Sequence, residues 1–153
     1  MAYTVTISWK REPGDAFSDN KYSRAHSWIF DGGILLSASS SPHVVPLPMS
    51  KENAVDPEEA FVASLSSCHM LWFLSLAAAK QFIIEQYEDH AEGILSKNEE
   101  GKIAMTEVVL KPKIVFSGAD VPTKKQLDEL HHEAHEKCYI ASSVRTKIRI
   151  LPK

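Results

Sequence analysis

The sequence predicts an α+β fold: antiparallel strands around a long central buried helix, with a second helix near the C-terminus. Three observations carry this. Stretches near both ends alternate apolar and polar residues, the period of a strand with one covered face. Residues 60–79 contain no Asp, Glu, Lys or Arg, as expected of a helix buried nearly all round. Further on, Leu127, Leu130, Ala134 and Cys138 fall on one stripe at helical spacing.

Tyr3, Val5, Ile7 and Trp9 alternate with polar neighbours, so 3–9 reads as a half-buried strand. After the polar loop 10–20, a second strand is expected over 23–30, with Arg24, His26, Trp28 and Phe30 on one face. Asp31-Gly32-Gly33 is a turn signal, and a third strand returns over 34–37. Residues 38–56 then form a long loop holding Pro42, Pro46 and Pro48. Loops of this length inside compact domains are uncommon and often functional.

The long helix has a clear start. Asp56 suits the cap, Pro57 the first helical position, and Glu58 and Glu59 the positive end of the dipole. It should run to about residue 80. Its apolar stretch is long enough to span a bilayer. Ser64, Ser66, Ser67, His69 and Ser75, and the lack of basic anchors before it, favour the buried core of a soluble protein. Two strands follow, over 85–96 and 103–116, joined by a turn at 98–101. Thr123 and Gln126 form a capping box opening the second helix. A last strand covers 144–151.

The chain has 153 residues and no internal repeat, low-complexity segment or linker, so 1–153 reads as a single domain. The formal net charge is −3, and the basic residues are scattered. Nucleic acid and anionic membrane both call for a basic face, so neither is expected as a partner. Residues 1–9 lack the pattern of a secretory leader, which points to the cytoplasm. Structural disulfides are rare there, so two cysteines are inert, metal-binding or redox-active.

Position alone favours inert: Cys68 lies mid-helix, and Cys138 lies on the apolar stripe of the second helix. Reactivity requires a thiolate, which burial disfavours, and Cys68 is too far from the helix start to gain from the dipole. A cation must therefore come from elsewhere, and Arg24 is the candidate. A zinc alternative also stands. His131, His135 and Cys138 recur at helical spacing beside His132, and Cys68 with His69 could complete the site.

Two motifs resemble those of the OsmC/Ohr family, the osmotically inducible and organic hydroperoxide resistance proteins. The first is Asp56-Pro57-Glu58-Glu59, Ala60-Phe61 and a small-residue run ending Ser66-Ser67-Cys68. The second is Ala134-His135-Glu136-Lys137-Cys138 with Ile140-Ala141-Ser142-Ser143. The order of elements along the chain agrees. The resemblance implies a cysteine-based peroxidase, an intertwined homodimer, no cofactor and a metal-free mechanism. It makes Cys68 the peroxidatic cysteine, oxidised by an organic hydroperoxide to a sulfenic acid. Cys138 is then the resolving cysteine, and a dithiol of lipoyl type, or another thiol, reduces their disulfide. Glu58 and Arg24 take the places of the family's glutamate and arginine. Family members often have proline after the second cysteine. Cys138 lies at the end of the second helix, and Tyr139 stands here, which unlike proline lets the helix continue and adds bulk beside Cys138.

On this reading Arg24 steadies the Cys68 thiolate and Glu58 orients Arg24. Met70, Trp72 and Phe73 supply apolar walls favouring organic over hydrogen peroxide. Glu58 and Cys68 are ten residues apart on one helix, about 15 Å. Two such helices packed antiparallel across a two-fold would bring Glu58 of one subunit toward Cys68 of the other. The rival reading is a non-catalytic protein on the same fold that binds a small molecule or metal, or senses redox state. A Cys68–His69 hydrolase pair is disfavoured, because neighbouring residues on a helix diverge.

Overall fold

A computed structural model describes residues 1–153. The chain forms two compact units, Met1–Ala60 and Phe61–Lys153. In the first, β1 (Val5–Ser8), β2 (His26–Phe30) and β3 (Leu35–Ala38) make the expected antiparallel meander. Two expectations fail in detail. β1 is exposed along its whole length rather than half-buried, because it is an edge strand that nothing in its unit covers. Arg24 lies before β2 rather than within it. Its N–H donates to the Met49 carbonyl at 2.7 Å, and ladder pairing begins only at His26 and Ser27. The long loop is pinned to β3 by hydrogen bonds from Ser39 N to Val55 O and from Val55 N to Ser37 O, each 3.0 Å.

Helix α1 (Pro57–Ala79) starts where the sequence places it. Asp56 Oδ1 accepts from Glu59 N at 2.8 Å, and Glu59 Oε2 accepts from Asp56 N at 3.3 Å, a reciprocal cap. The helix is long and apolar enough to cross a membrane by length and composition. Its buried residues form one stripe, Leu65, His69, Phe73 and Ala77, spaced four apart. The expectation of burial nearly all round is thus met on one face only, since a single stripe suffices to seat a helix on its core.

In the second unit, β4 (Ile83–Asp89) pairs antiparallel with β7 (Pro112–Ser117). β5 (Glu92–Lys97) pairs antiparallel with β6 (Ile103–Leu110), and β8 (Lys147–Ile150) joins β6 in parallel. The strands expected over 85–96 and 103–116 are therefore each broken in two. Asp89 makes the break: its Oδ1 accepts from Lys111 N at 2.6 Å and its Oδ2 from Ser66 Oγ at 2.5 Å. Those bonds divert both strands at one level, and Pro112, which has no N–H, resumes the second.

Helix α2 (Lys124–Lys137) carries the expected capping box, with Thr123 and Gln126 bonded reciprocally. The core has two parts. Phe73, Ala77, Leu130 and Ala134 join α1 to α2 over β4 and β7. Leu65, Val108 and Leu110 join α1 to β6, with Ile148 and Ile150 of β8 against them.

Candidate active site

α1 and α2 bring Cys68 and Cys138 together from opposite halves of the second unit. Both are free thiols, and they lie near enough for Cys68 to disfavour ionisation of Cys138. Cys68 is half-buried, whereas Cys138 is 1% exposed. Burial first, and then the neighbouring Cys68, push the Cys138 thiol up to about 11. A backbone N–H from Ala141, 3.3 Å from its sulfur, works in the opposite direction.

The helix ends at Cys138, as the sequence places it, although Tyr139 would have let it continue. Cys138 is the C-cap, with φ −70° and ψ 111°. Its N–H reaches His135 O, its carbonyl accepts from Ser142 N at 3.0 Å, and a short helical turn, Ala141–Ser143, wraps behind it. Serine hydroxyls hold this turn: Ser142 Oγ donates to Cys138 O and Ser143 Oγ to Tyr139 O. Local side-chain bonds thus end the helix without proline. Tyr139 is 70% exposed and meets the edge of Trp72, ring centres 5.7 Å apart.

Of the expected apolar wall, Met70 and Trp72 are half-buried, and Lys137 sits over the Trp72 ring at 5.7 Å. Phe73 is fully buried in the core against Tyr87 and His131.

In the first unit, Arg24 and Glu58 line one cavity of about 480 Å³. Trp9, Phe17 and Tyr22 form an aromatic cluster in its wall, with ring centres 4.6–5.9 Å apart, and His26 also faces it. The Arg24 guanidinium donates to Asn20 Oδ1 at 2.7 Å, to Asn20 O at 3.0 Å and to Tyr22 O. It also stacks 3.8 Å above the Tyr22 ring. Glu58 is not within ion-pairing distance of it. Sequence reasoning found Arg24 and Glu58 but missed the aromatic cluster, whose members come from two separate stretches.

No group of three or more His, Cys, Asp or Glu residues is arranged to hold a metal ion. His69 and His131 bond to each other instead, Nε2 to Nδ1 at 3.0 Å, while His132 is exposed. Sequence reasoning missed this pair too.

A model of the family described as OsmC-like protein matches residues 50–152. The chain belongs to the OsmC-like family. An OsmC-like protein of unknown function from Vibrio cholerae is similar over 100% of this chain and 99% of its own, at 55% identity and a TM-score of 0.98. The organic hydroperoxide resistance protein OhrB of Bacillus subtilis shares the fold at 19% identity and a TM-score of 0.71, covering 100% of this chain and 98% of its own. An organic hydroperoxide resistance protein from Legionella pneumophila does so at 18% and 0.66, covering 99% and 96%. Comparison with curated proteins finds no match. The α+β architecture expected from the sequence is thus that of the OsmC/Ohr fold.

Proposed function

We propose that this OsmC-like chain, acting as one domain, is a cytoplasmic thiol peroxidase for organic hydroperoxides. The observation that carries the reading is the neighbouring pair of free thiols, Cys68 and Cys138, drawn together by two helices from positions 70 residues apart.

The Cys68 thiolate attacks the outer oxygen of ROOH. The O–O bond breaks, Cys68 becomes a sulfenic acid, and the alkoxide takes a proton to leave as an alcohol. The Cys138 thiol then attacks the Cys68 sulfur. An S–S bond forms, and the sulfenic hydroxyl leaves as water with the thiol proton. A dithiol of lipoyl type, or another thiol, reduces the disulfide by exchange. Trp72, one turn on from Cys68 along α1, gives the substrate an apolar setting, with Met70 on the adjoining face. Arg24 steadies the thiolate and the oxygens that gain charge, with Glu58 beside it. The two share a cavity ahead of and at the start of α1, about 15 Å along the helix from Cys68. The cation therefore serves Cys68 of a second subunit, in a homodimer with composite sites.

Stopped-flow mixing of reduced protein with cumene hydroperoxide and with hydrogen peroxide tests this. Fast oxidation by the organic peroxide is expected in wild type and Cys138→Ser, and none in Cys68→Ser. Arg24→Ala should slow it at least about tenfold, the loss expected for one electrostatic contact. Oxidation without catalytic turnover under any dithiol would replace the enzyme with a redox sensor. The aromatic cavity beside Arg24 favours one other reading, a non-catalytic small-molecule binder, which an unreactive Cys68 would support.

A further inference from the structure

His69 and His131 take no part in the chemistry above, yet both are almost wholly buried, 1% and 4% exposed. They lie on the two helices that carry the cysteines. His69 directly follows Cys68 on α1. His131 precedes Cys138 by seven residues on α2, two turns and about 10 Å, and so shares its face. The rings bond at 3.0 Å with their planes only 6° apart, and Phe73 packs on His131 with ring centres 4.4 Å apart. One nitrogen of each ring, His69 Nδ1 and His131 Nε2, has no partner. Two leucines would fill such a site without orphaned polar atoms. Apolar surfaces tolerate sliding, whereas a buried hydrogen bond fixes a register.

We propose that the His69–His131 hydrogen bond is a positioning clasp: it holds α1 and α2 in the register that lets the Cys138 sulfur reach the Cys68 sulfur. The two residues are positioning residues for disulfide closure and leave the attack on peroxide untouched. This deepens the peroxidase reading by naming what governs its second step. The bond needs one N–H facing one lone pair, so at least one ring must be uncharged, and burial favours both being so. Desolvation is the main cause that holds them so, with His69 lowered to about 3 and His131 to about 4. His135 adds to the effect on His69, while Asp128 and Asp89 oppose that on His131.

The test measures closure apart from peroxide reactivity. Diamide adds to one thiolate, and the second thiol displaces the adduct, leaving a disulfide and the reduced hydrazine. At saturating diamide the rate plateaus at the closure step. His131→Leu, which fills the space without the bond, should lower that plateau at least about tenfold, as small misplacements of reacting groups do. Its rate of Cys68 oxidation by cumene hydroperoxide should equal wild type, with a sulfenic acid that dimedone traps. His131→Asn sets an amide where Nδ1 was, and His69→Gln where Nε2 was; both should restore the plateau to within about threefold. Should His131→Leu not fold, the double variant His69→Leu/His131→Leu, which leaves no orphan, carries the test and should melt no lower than wild type yet close slowly. Wild-type closure in either leucine variant overturns the proposal, as does a parallel fall in oxidation, closure and melting temperature. Wild-type protein that ignores peroxide but closes under diamide removes the peroxidase and leaves the clasp standing.

Discussion

Cys138 is held as a thiol by its surroundings, and that has a direct chemical consequence. With its thiol pushed up to about 11 by burial and by Cys68, almost none of it is thiolate at neutral pH. At pH 7.5 iodoacetamide should therefore alkylate Cys138 at least about a hundredfold more slowly than a free thiol of ordinary acidity. Peptide mass spectrometry of partially labelled protein reads this directly, and Cys68 should carry the first label. Cys68→Ser removes the neighbouring sulfur and should speed Cys138 labelling without bringing it to a free thiol's rate, since burial stays. Prompt labelling of Cys138 in the wild type would contradict the buried setting. Both cysteines were legible in the sequence because each sits in a contiguous motif. The His69–His131 bond was not. The spacing on α2 grouped His131 with His135 and Cys138, and the true partner lies 62 residues away, beyond the reach of any local period.

The helices were legible because their signals are local: Asp56-Pro57-Glu58-Glu59 opens α1, and Thr123 with Gln126 opens α2. The strands were legible in position but not in continuity. Pro112, directly after Lys111, is a local signal for the second break, but nothing local marks the first, and both come from Asp89 bonding across to Lys111 and Ser66. Just beyond Asp89, Gly93 of β5 lies close under α1. A Cβ at Gly93 would stand 2.5 Å from Val62 Cγ2 and 2.7 Å from Met105 Sδ. Two packed side chains would have to move at once, and overpacking of this kind costs about 1–3 kcal/mol. Gly93→Ala should lower the urea midpoint accordingly with an unchanged slope. A midpoint equal to wild type would mean that α1 and β5 have more room than their contact suggests.

Over the whole molecule, the neutral histidine pair makes stability depend on acid. An unfolded histidine takes up a proton near pH 6.5, while His69 and His131 in the folded chain refuse it until about 3 and 4. Below pH 6.5 the unfolded state therefore binds more protons, so stability is lost as pH falls from 6.5 toward 4. By pH 5 the loss should be on the order of 2–4 kcal/mol, or roughly 5–10 °C in melting temperature. Carboxylates titrate over part of this range, so the comparison is with His69→Leu/His131→Leu, whose melting temperature should fall less between pH 7 and pH 5. Equal slopes would deny the pair its role. Assembly is the other property at this scale. α1 turns Ser64, Ser67, Leu71 and Ser75 outward, with Leu71 61% exposed. β1 likewise leaves Val5 and Ile7 exposed. Uncharged helix surface with small side chains admits a second helix closely and gains from losing water. Reduced protein should therefore sediment at about twice the 17.1 kDa chain mass. Leu71→Glu would set a carboxylate in that contact and should shift the protein to monomer. On the proposed composite site, in which Arg24 acts on the other subunit's thiol, the monomer should be oxidised by cumene hydroperoxide at least about tenfold more slowly. It should still close its disulfide under diamide, because Cys68 and Cys138 belong to one chain. Full peroxide turnover by a monomer would refute the composite site and leave Cys68 to be activated within its own subunit.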